Sequence, residues 1–168
     1  MNFSYSENQN LVRTTIADFA KKEILPYYKQ WDESQEFPRE VFRKLGELGM
    51  MGMLIPEEYG GAGMGYEEYV VAIEELAKVC GSIGLSYAAH NSLCSMHLFL
   101  FGNENQRKKY SPKLANGDYI GAWALTEPNT GSDAMRMMCT ARQDGDSWII
   151  NGVKTFITHG KSGDVVVV

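Results

Sequence analysis

Apolar positions recur at helical spacing through the first part of the chain, and beyond residue 118 they run in short strand-like stretches. Ser6, with Gln9 three residues on, forms a capping-box pattern, and Val12, Ile16, Phe19 and Ile24 follow it. Pro26 is expected to end or kink that helix, with Tyr27, Tyr28 and Trp31 carrying its apolar face further. Pro38 suits the first turn of a second helix bearing Val41, Phe42, Leu45 and Leu48, closed by Gly49. Further helices are predicted over 66–79, 83–101 and 105–114. The segment 83–101 is apolar around its whole circumference, Leu98, Phe99 and Leu100 included. It is therefore expected at the centre of the bundle, with its polar residues partnered.

After Asn116-Gly117 the periodicity changes. Residues 119–126, 137–142 and 147–150 read as strands, with a turn at Asp144-Gly145-Asp146. Asn151-Gly152 is a strong two-residue hairpin signal, and 153–158 is expected to return as its second strand. The run Val165-Val166-Val167-Val168 is also strand-like, and a flat apolar edge of this kind needs a neighbour. The fold class expected is α+β. A helical bundle domain over 1–117 is followed by the opening strands, 118–168, of a β-barrel-like domain, as the N-terminal piece of a longer protein.

Composition narrows the classes. The 168 residues are 44% hydrophobic and 22% charged, a globular balance, and the net charge of -5 argues against nucleic-acid binding. Three cysteines without a CxxC pair read as reduced thiols of an intracellular protein. No import segment or membrane span is expected, because polar residues interrupt the most apolar stretch, so the expectation is a cytoplasmic protein.

Little of the obvious chemistry survives inspection. The run Gly60-Gly61-Ala62-Gly63-Met64-Gly65 lacks the dinucleotide fingerprint, because Tyr66 stands where the third glycine belongs, and it reads as a flexible helix entry. His90, His97 and His159 form no metal-ligand spacing with the cysteines, and no metal site is assigned. The informative stretch runs Ala122-Trp123-Ala124-Leu125-Thr126-Glu127-Pro128-Asn129-Thr130-Gly131-Ser132-Asp133-Ala134. A strand there opens into a loop of hydroxyls, a glycine and two carboxylates, suited to an anionic or heteroaromatic ligand.

That stretch closely resembles the signature of acyl-CoA dehydrogenases, flavoenzymes that desaturate acyl-CoA thioesters. Pro56-Glu57-Glu58-Tyr59-Gly60-Gly61, His90-Asn91-Ser92-Leu93-Cys94, Phe101-Gly102-Asn103-Glu104-Asn105-Gln106 and Asn151-Gly152-Val153-Lys154-Thr155-Phe156-Ile157-Thr158 agree in the family's own order. The resemblance implies FAD held by Trp123, Ala124, Leu125, Thr126, Gly131 and Ser132 and by a second strand carrying Phe156, Ile157 and Thr158. Thr126 would meet the polar edge of the flavin ring, and Thr158 would lie close to N5, which takes the β-hydride. Ser132, Ser86, Ala89, His90 and Leu93 would border the acyl-CoA substrate. The resemblance puts the carboxylate that removes the α-proton beyond residue 168, so no catalytic residue is assigned, Glu127 included, and the piece alone is expected to be inactive. It further implies an electron-transfer flavoprotein as acceptor and a homotetramer or homodimer as the assembly. Two departures stand out: Phe156 replaces a frequent tryptophan, and Met135 and Arg136 follow the signature where small residues are common. Two other readings compete: a flavoprotein of the same fold with oxidase or nitroalkane-type chemistry, and a non-catalytic helical interaction module.

Overall fold

The computed structural model describes residues 4–168. Its helical part holds α1 (Glu7–Phe19), α2 (Tyr28–Ser34), α3 (Arg39–Glu47), α4 (Tyr66–Val79), α5 (Gly81–Ala88), α6 (Met96–Phe101) and α7 (Glu104–Ala115). The Ser6–Gln9 capping box forms reciprocally: the Gln9 N–H donates to Ser6 Oγ at 3.1 Å and the Ser6 N–H to Gln9 Oε1 at 2.8 Å. α1 then loosens into a π turn, Ala20–Ile24, and the chain turns at Pro26 before α2. Pro38 stands at the N-cap position just before α3, not in its first turn, and Gly49 follows that helix in the left-handed region. One core gathers Ile16, Ile24, Phe42, Leu45, Met51, Leu76 and Tyr87, and Ile120 enters it from the far side of the helical part.

The helix expected over 83–101 forms from Gly81 to Phe101 with a π segment, Ala89–Ser95, between α5 and α6. The interruption has a local cause. Ser92 Oγ donates to the Ala88 carbonyl at 2.8 Å and Asn91 Nδ2 to the Tyr87 carbonyl at 3.3 Å, so side chains compete for the helix's own acceptors. Burial is confined to the first half and the π segment: Ile83, Tyr87, Ala89, His90, Asn91, Cys94 and Ser95 are buried. Leu98 and Phe99 are half-buried, and Leu100 and Phe101 are exposed. The expectation of a helix buried along its whole length is corrected at that end.

The glycine run is not a flexible entry. The Ala62, Gly63 and Met64 N–H groups donate to the carbonyls of Gly52, Ile55 and Met53, folding the loop back on itself. A Cβ on Gly61 would collide with the Ile55 carbonyl oxygen, so glycine there serves close packing.

Four strands follow: β1 (Gly121–Trp123), β2 (Thr140–Asp144), β3 (Ser147–Asn151) and β4 (Val165–Val167). β2 and β3 form an antiparallel hairpin across Gly145-Asp146, at the turn the sequence marks. The second hairpin, at Asn151-Gly152, does not form. Residues 153–158 make no strand; Thr155 N–H and Lys154 instead reach back to the signature segment, and Phe156 takes φ 58°. β4 pairs in parallel with β1, matching Gly121 with Val165 and Trp123 with Val167. Among the described residues, no helix is long and apolar enough to cross a membrane.

Candidate functional site

β1 lies across the π segment and delivers the signature loop to the surface. Trp123 is half-buried with its indole 5.0 Å from the His97 ring, and the Ala124 N–H donates to the Val167 carbonyl at 2.7 Å. Beyond it, two distant segments lie side by side. The Thr155 N–H donates to the Thr126 carbonyl at 2.8 Å, and Lys154 Nζ donates to the Leu125 carbonyl at 3.0 Å.

Glu127 ties this arrangement together. Its carboxylate is 4% exposed and accepts from the Met138 N–H at 2.6 Å, the Cys139 N–H at 2.9 Å and Lys154 Nζ at 3.0 Å. The two backbone donors, with Lys154 behind them, hold its pKa down to about 2. A carboxylate so committed is a poor proton acceptor. The sequence does not mark this anchoring position; its one local signal is that Glu127, unlike Asp133 in the same loop, is followed directly by proline.

Around the knot, the loop offers unspent groups. The Thr126 and Thr158 hydroxyls are half-buried and have no partner among the described residues. Phe156 is 92% exposed, a large apolar ring presented to the outside on a left-handed backbone. Gly131 and Ser132 are exposed, while Ile157 is half-buried. Thr130 Oγ1 donates to the Asp133 carbonyl at 2.5 Å and closes the turn that carries Gly131 and Ser132. Unpaired hydroxyls and an uncovered aromatic ring are groups that a polar, partly aromatic ligand can use.

Residues 6–118 match the family model "Acyl-CoA dehydrogenase, N-terminal domain", and residues 122–168 match "Acyl-CoA dehydrogenase, middle domain". The chain belongs to the acyl-CoA dehydrogenase family. It is 46% identical over 168 residues to "Probable acyl-CoA dehydrogenase YngJ" of Bacillus subtilis (strain 168), covering all of this chain and 44% of that protein. Bovine (Bos taurus) "Isovaleryl-CoA dehydrogenase, mitochondrial" is 44% identical over 165 residues, 97% of this chain and 39% of its own length. Among solved structures, an acyl-CoA dehydrogenase from Bacillus anthracis, complexed with FAD, superposes with a TM-score of 0.92 at 36% identity. That match covers 98% of this chain and 29% of the other. The chain thus spans less than half the length of these relatives.

Of the residues expected beside the acyl-CoA substrate, Ser86, Ala89, His90 and Leu93 all lie on the Gly81–Phe101 helix, apart from Ser132 on the loop. Ser86 and Leu93 are half-buried, and Ala89 is buried. His90 is fully buried, and both its ring nitrogens lie within hydrogen-bond distance of backbone atoms: Nε2 at 3.1 Å from the Met51 and Leu114 carbonyl oxygens, Nδ1 at 3.0 Å from the Gly121 nitrogen. Both ring nitrogens of His90 are thus engaged inside the protein.

Proposed function

We propose that this chain forms the helical domain and one wall of the flavin site of an FAD-dependent acyl-CoA dehydrogenase, which introduces an α,β double bond into an acyl-CoA thioester. The observation that carries the reading is the convergence of the signature segment with residues 154–158. The Thr155 N–H on the Thr126 carbonyl and Lys154 on the Leu125 carbonyl join them, on a chain whose Thr126 and Thr158 hydroxyls are free and whose Phe156 ring is exposed. FAD, when bound, would supply the hydride acceptor.

The chain's own part is to hold and tune that group. Trp123, Ala124, Leu125 and Thr126 would line it along one side, with the Thr126 hydroxyl donating to its polar edge. Phe156 and Ile157 would flank it, and the Thr158 hydroxyl would stabilise negative charge as it forms. Gly131 and Ser132 would approach the phosphate-bearing parts of cofactor or substrate through backbone N–H and hydroxyl donors. Ser86, Ala89 and Leu93 would border the acyl chain. The α-proton would go to a carboxylate supplied from outside these residues, since Glu127 is spent on its three donors. An electron-transfer flavoprotein would take the electrons onward, and the complete protein would be a homo-oligomer working in the cytoplasm.

The test is the absorbance spectrum of the complete protein, titrated anaerobically with short and branched acyl-CoA esters. Flavin bands that bleach on one of them are expected. A protein that binds no FAD would overturn the reading, and flavin that no acyl-CoA reduces would replace dehydrogenation by another flavin chemistry. Residues 1–168 alone are expected to bind FAD weakly and turn over nothing, because one wall does not enclose a dinucleotide.

A further inference from the structure

The strand that leads into the flavin-facing segment is gripped through one residue by two histidines. Carbonyl oxygens only accept, so the Nε2–H of His90 is shared between the Met51 and Leu114 carbonyls, each at 3.1 Å. Nδ1 is then left as an acceptor, and it takes the Gly121 N–H at 3.0 Å. The Gly121 carbonyl in turn accepts from His159 Nδ1–H at 2.8 Å. Both polar groups of Gly121 are thus spent on imidazoles, one from the π segment and one from the turn before β4. The residue between the rings has to be small: a Cβ there would lie 2.6 Å from Cys94 Cβ and Sγ. His159 itself packs edge-on against two stacked aromatic rings, 5.1 Å from Phe37 and 6.2 Å from Phe42, centroid to centroid.

We propose that His90 and His159 are positioning residues. Acting together on Gly121, they set the seat of β1 on the buried helix and so the placement of Trp123, Ala124, Leu125 and Thr126, and the grip holds only while His90 is neutral. The consequence for cofactor binding rests on the flavin reading above.

The donor pattern explains the proton dependence. Protonated His90 would turn a second N–H toward the Gly121 N–H, and two donors cannot satisfy one another. Burial, ahead of the neighbouring His159, pushes the His90 pKa down to about 4, and burial lowers that of His159 too. A histidine harder to protonate in the folded state leaves stability intact above its ordinary value of 6.5. That stability is lost as pH falls from there toward about 4. The groups facing the pair include one neutral thiol, one hydroxyl and several charged side chains. The Cys94 thiol against Gly121 is pushed up to about 11 by burial and stays neutral, and Ser95 Oγ lies 3.5 Å from His90 Nε2. Asp164, at the Ile120 N–H, is paired with Arg39 from α3. Lys154 and Lys161 border the same cavity as His159.

The test compares the complete protein with its His90→Leu and His90→Asn variants, reading FAD affinity by flavin fluorescence and Gly121 amide exchange, corrected for the intrinsic rate. The Asn side-chain oxygen can replace Nδ1 as acceptor but does not titrate; Leu offers no acceptor. His90→Leu is expected to weaken FAD binding and speed Gly121 exchange by about tenfold each, the scale of one buried hydrogen bond. His90→Asn is expected to stay within about threefold of wild type at neutral pH and to remain flat in acid, where the wild type loses flavin. Wild-type behaviour of His90→Leu in both readouts would overturn the proposal, as would His90→Asn failing as badly as His90→Leu. If His90→Leu does not fold, the acid titrations decide. Gly121 exchange accelerating toward about pH 4 in the wild type only supports the grip, and identical profiles in wild type and His90→Asn refute it. A wild type that binds no FAD at any pH defeats the flavin reading instead, and the exchange profiles then settle the grip by themselves.

Discussion

The helical part and the strand part of this chain are built on opposite plans. In the first, α1, α3, α4 and α5 close around fully buried side chains such as Ile16, Phe42, Leu45, Leu76 and Tyr87. In the second, every residue of the β2–β3 hairpin is exposed, and order comes from hydrogen bonds and charge at a few points: Glu127 with Lys154, Gly121 with two histidines, Arg39 with Asp164. A packed core spreads its stability over many weak contacts and tolerates the loss of any polar one. A surface held at three polar points concentrates it, and each point becomes a place where one substitution moves a loop.

The largest expected effect lies where the two plans meet. Phe42 is fully buried, stacks on Phe37 at 4.9 Å between ring centroids and edges His159. Phe42→Ala should cost about 3–5 kcal/mol in chemical denaturation. A cost near that of a surface change would mean the core ends short of α3. Glu127→Gln comes next, and it should act locally. It removes the charge that Lys154 and two backbone N–H groups share, so exchange at Met138 and Cys139 should quicken and FAD affinity fall by about tenfold or more, with a loss of stability smaller than that of Phe42→Ala. The carboxylate is held well below its ordinary value of 4.5, so the wild-type knot should persist above that pH and loosen as the pH drops toward about 2. Glu127→Gln should lack this acid step.

How much of this was legible in the sequence follows the same divide. Local chemistry marks the start of α1 at Ser6 with Gln9, and apolar spacing marks the buried faces of α1, α3 and α4. The π turn that ends α1 at Phe19, before Pro26, carries no such mark. The signature loop was readable as a motif. What holds it was not: the partners of Glu127, Gly121 and Thr126 lie far along the chain, and no periodicity marks such pairings. Asn151-Gly152 shows the limit of a local signal. It suits a two-residue hairpin, yet the residues after it make their hydrogen bonds to the signature segment instead.

Thr158→Ala tests the proposed chemistry more finely. The hydroxyl has no partner among the described residues, so stability should hardly change. In the complete protein, rapid-mixing experiments should show flavin reduction slowed by about tenfold and substrate affinity kept within about twofold, the sign of an interaction made in the transition state. Equal losses in both would make Thr158 a binding contact. The smallest effect is expected on the hairpin, where Trp148 is 64% exposed. Trp148→Ser should change the stability of this chain by less than about 0.5 kcal/mol. A larger loss would show that the hairpin is covered in the assembled protein.

The parallel pairing of Gly121 with Val165 also sets an order of events. A growing chain emerges from its N-terminus, and loop closure must precede any reward from a distant contact. The helices can therefore collect around Phe42 and Leu76 while β1, already made, still waits for its neighbour. During that interval the edge of β1 that carries the Ile120 carbonyl and the Ala124 N–H is unpaired, a template for pairing with another chain. His90 is synthesised before β1 and His159 before Val165, so the two imidazoles are in place to occupy Gly121 first. They cover the edge of β1 opposite the one β4 takes, and the edge with the Ile120 carbonyl and the Ala124 N–H stays open until Val165 and Val167 arrive.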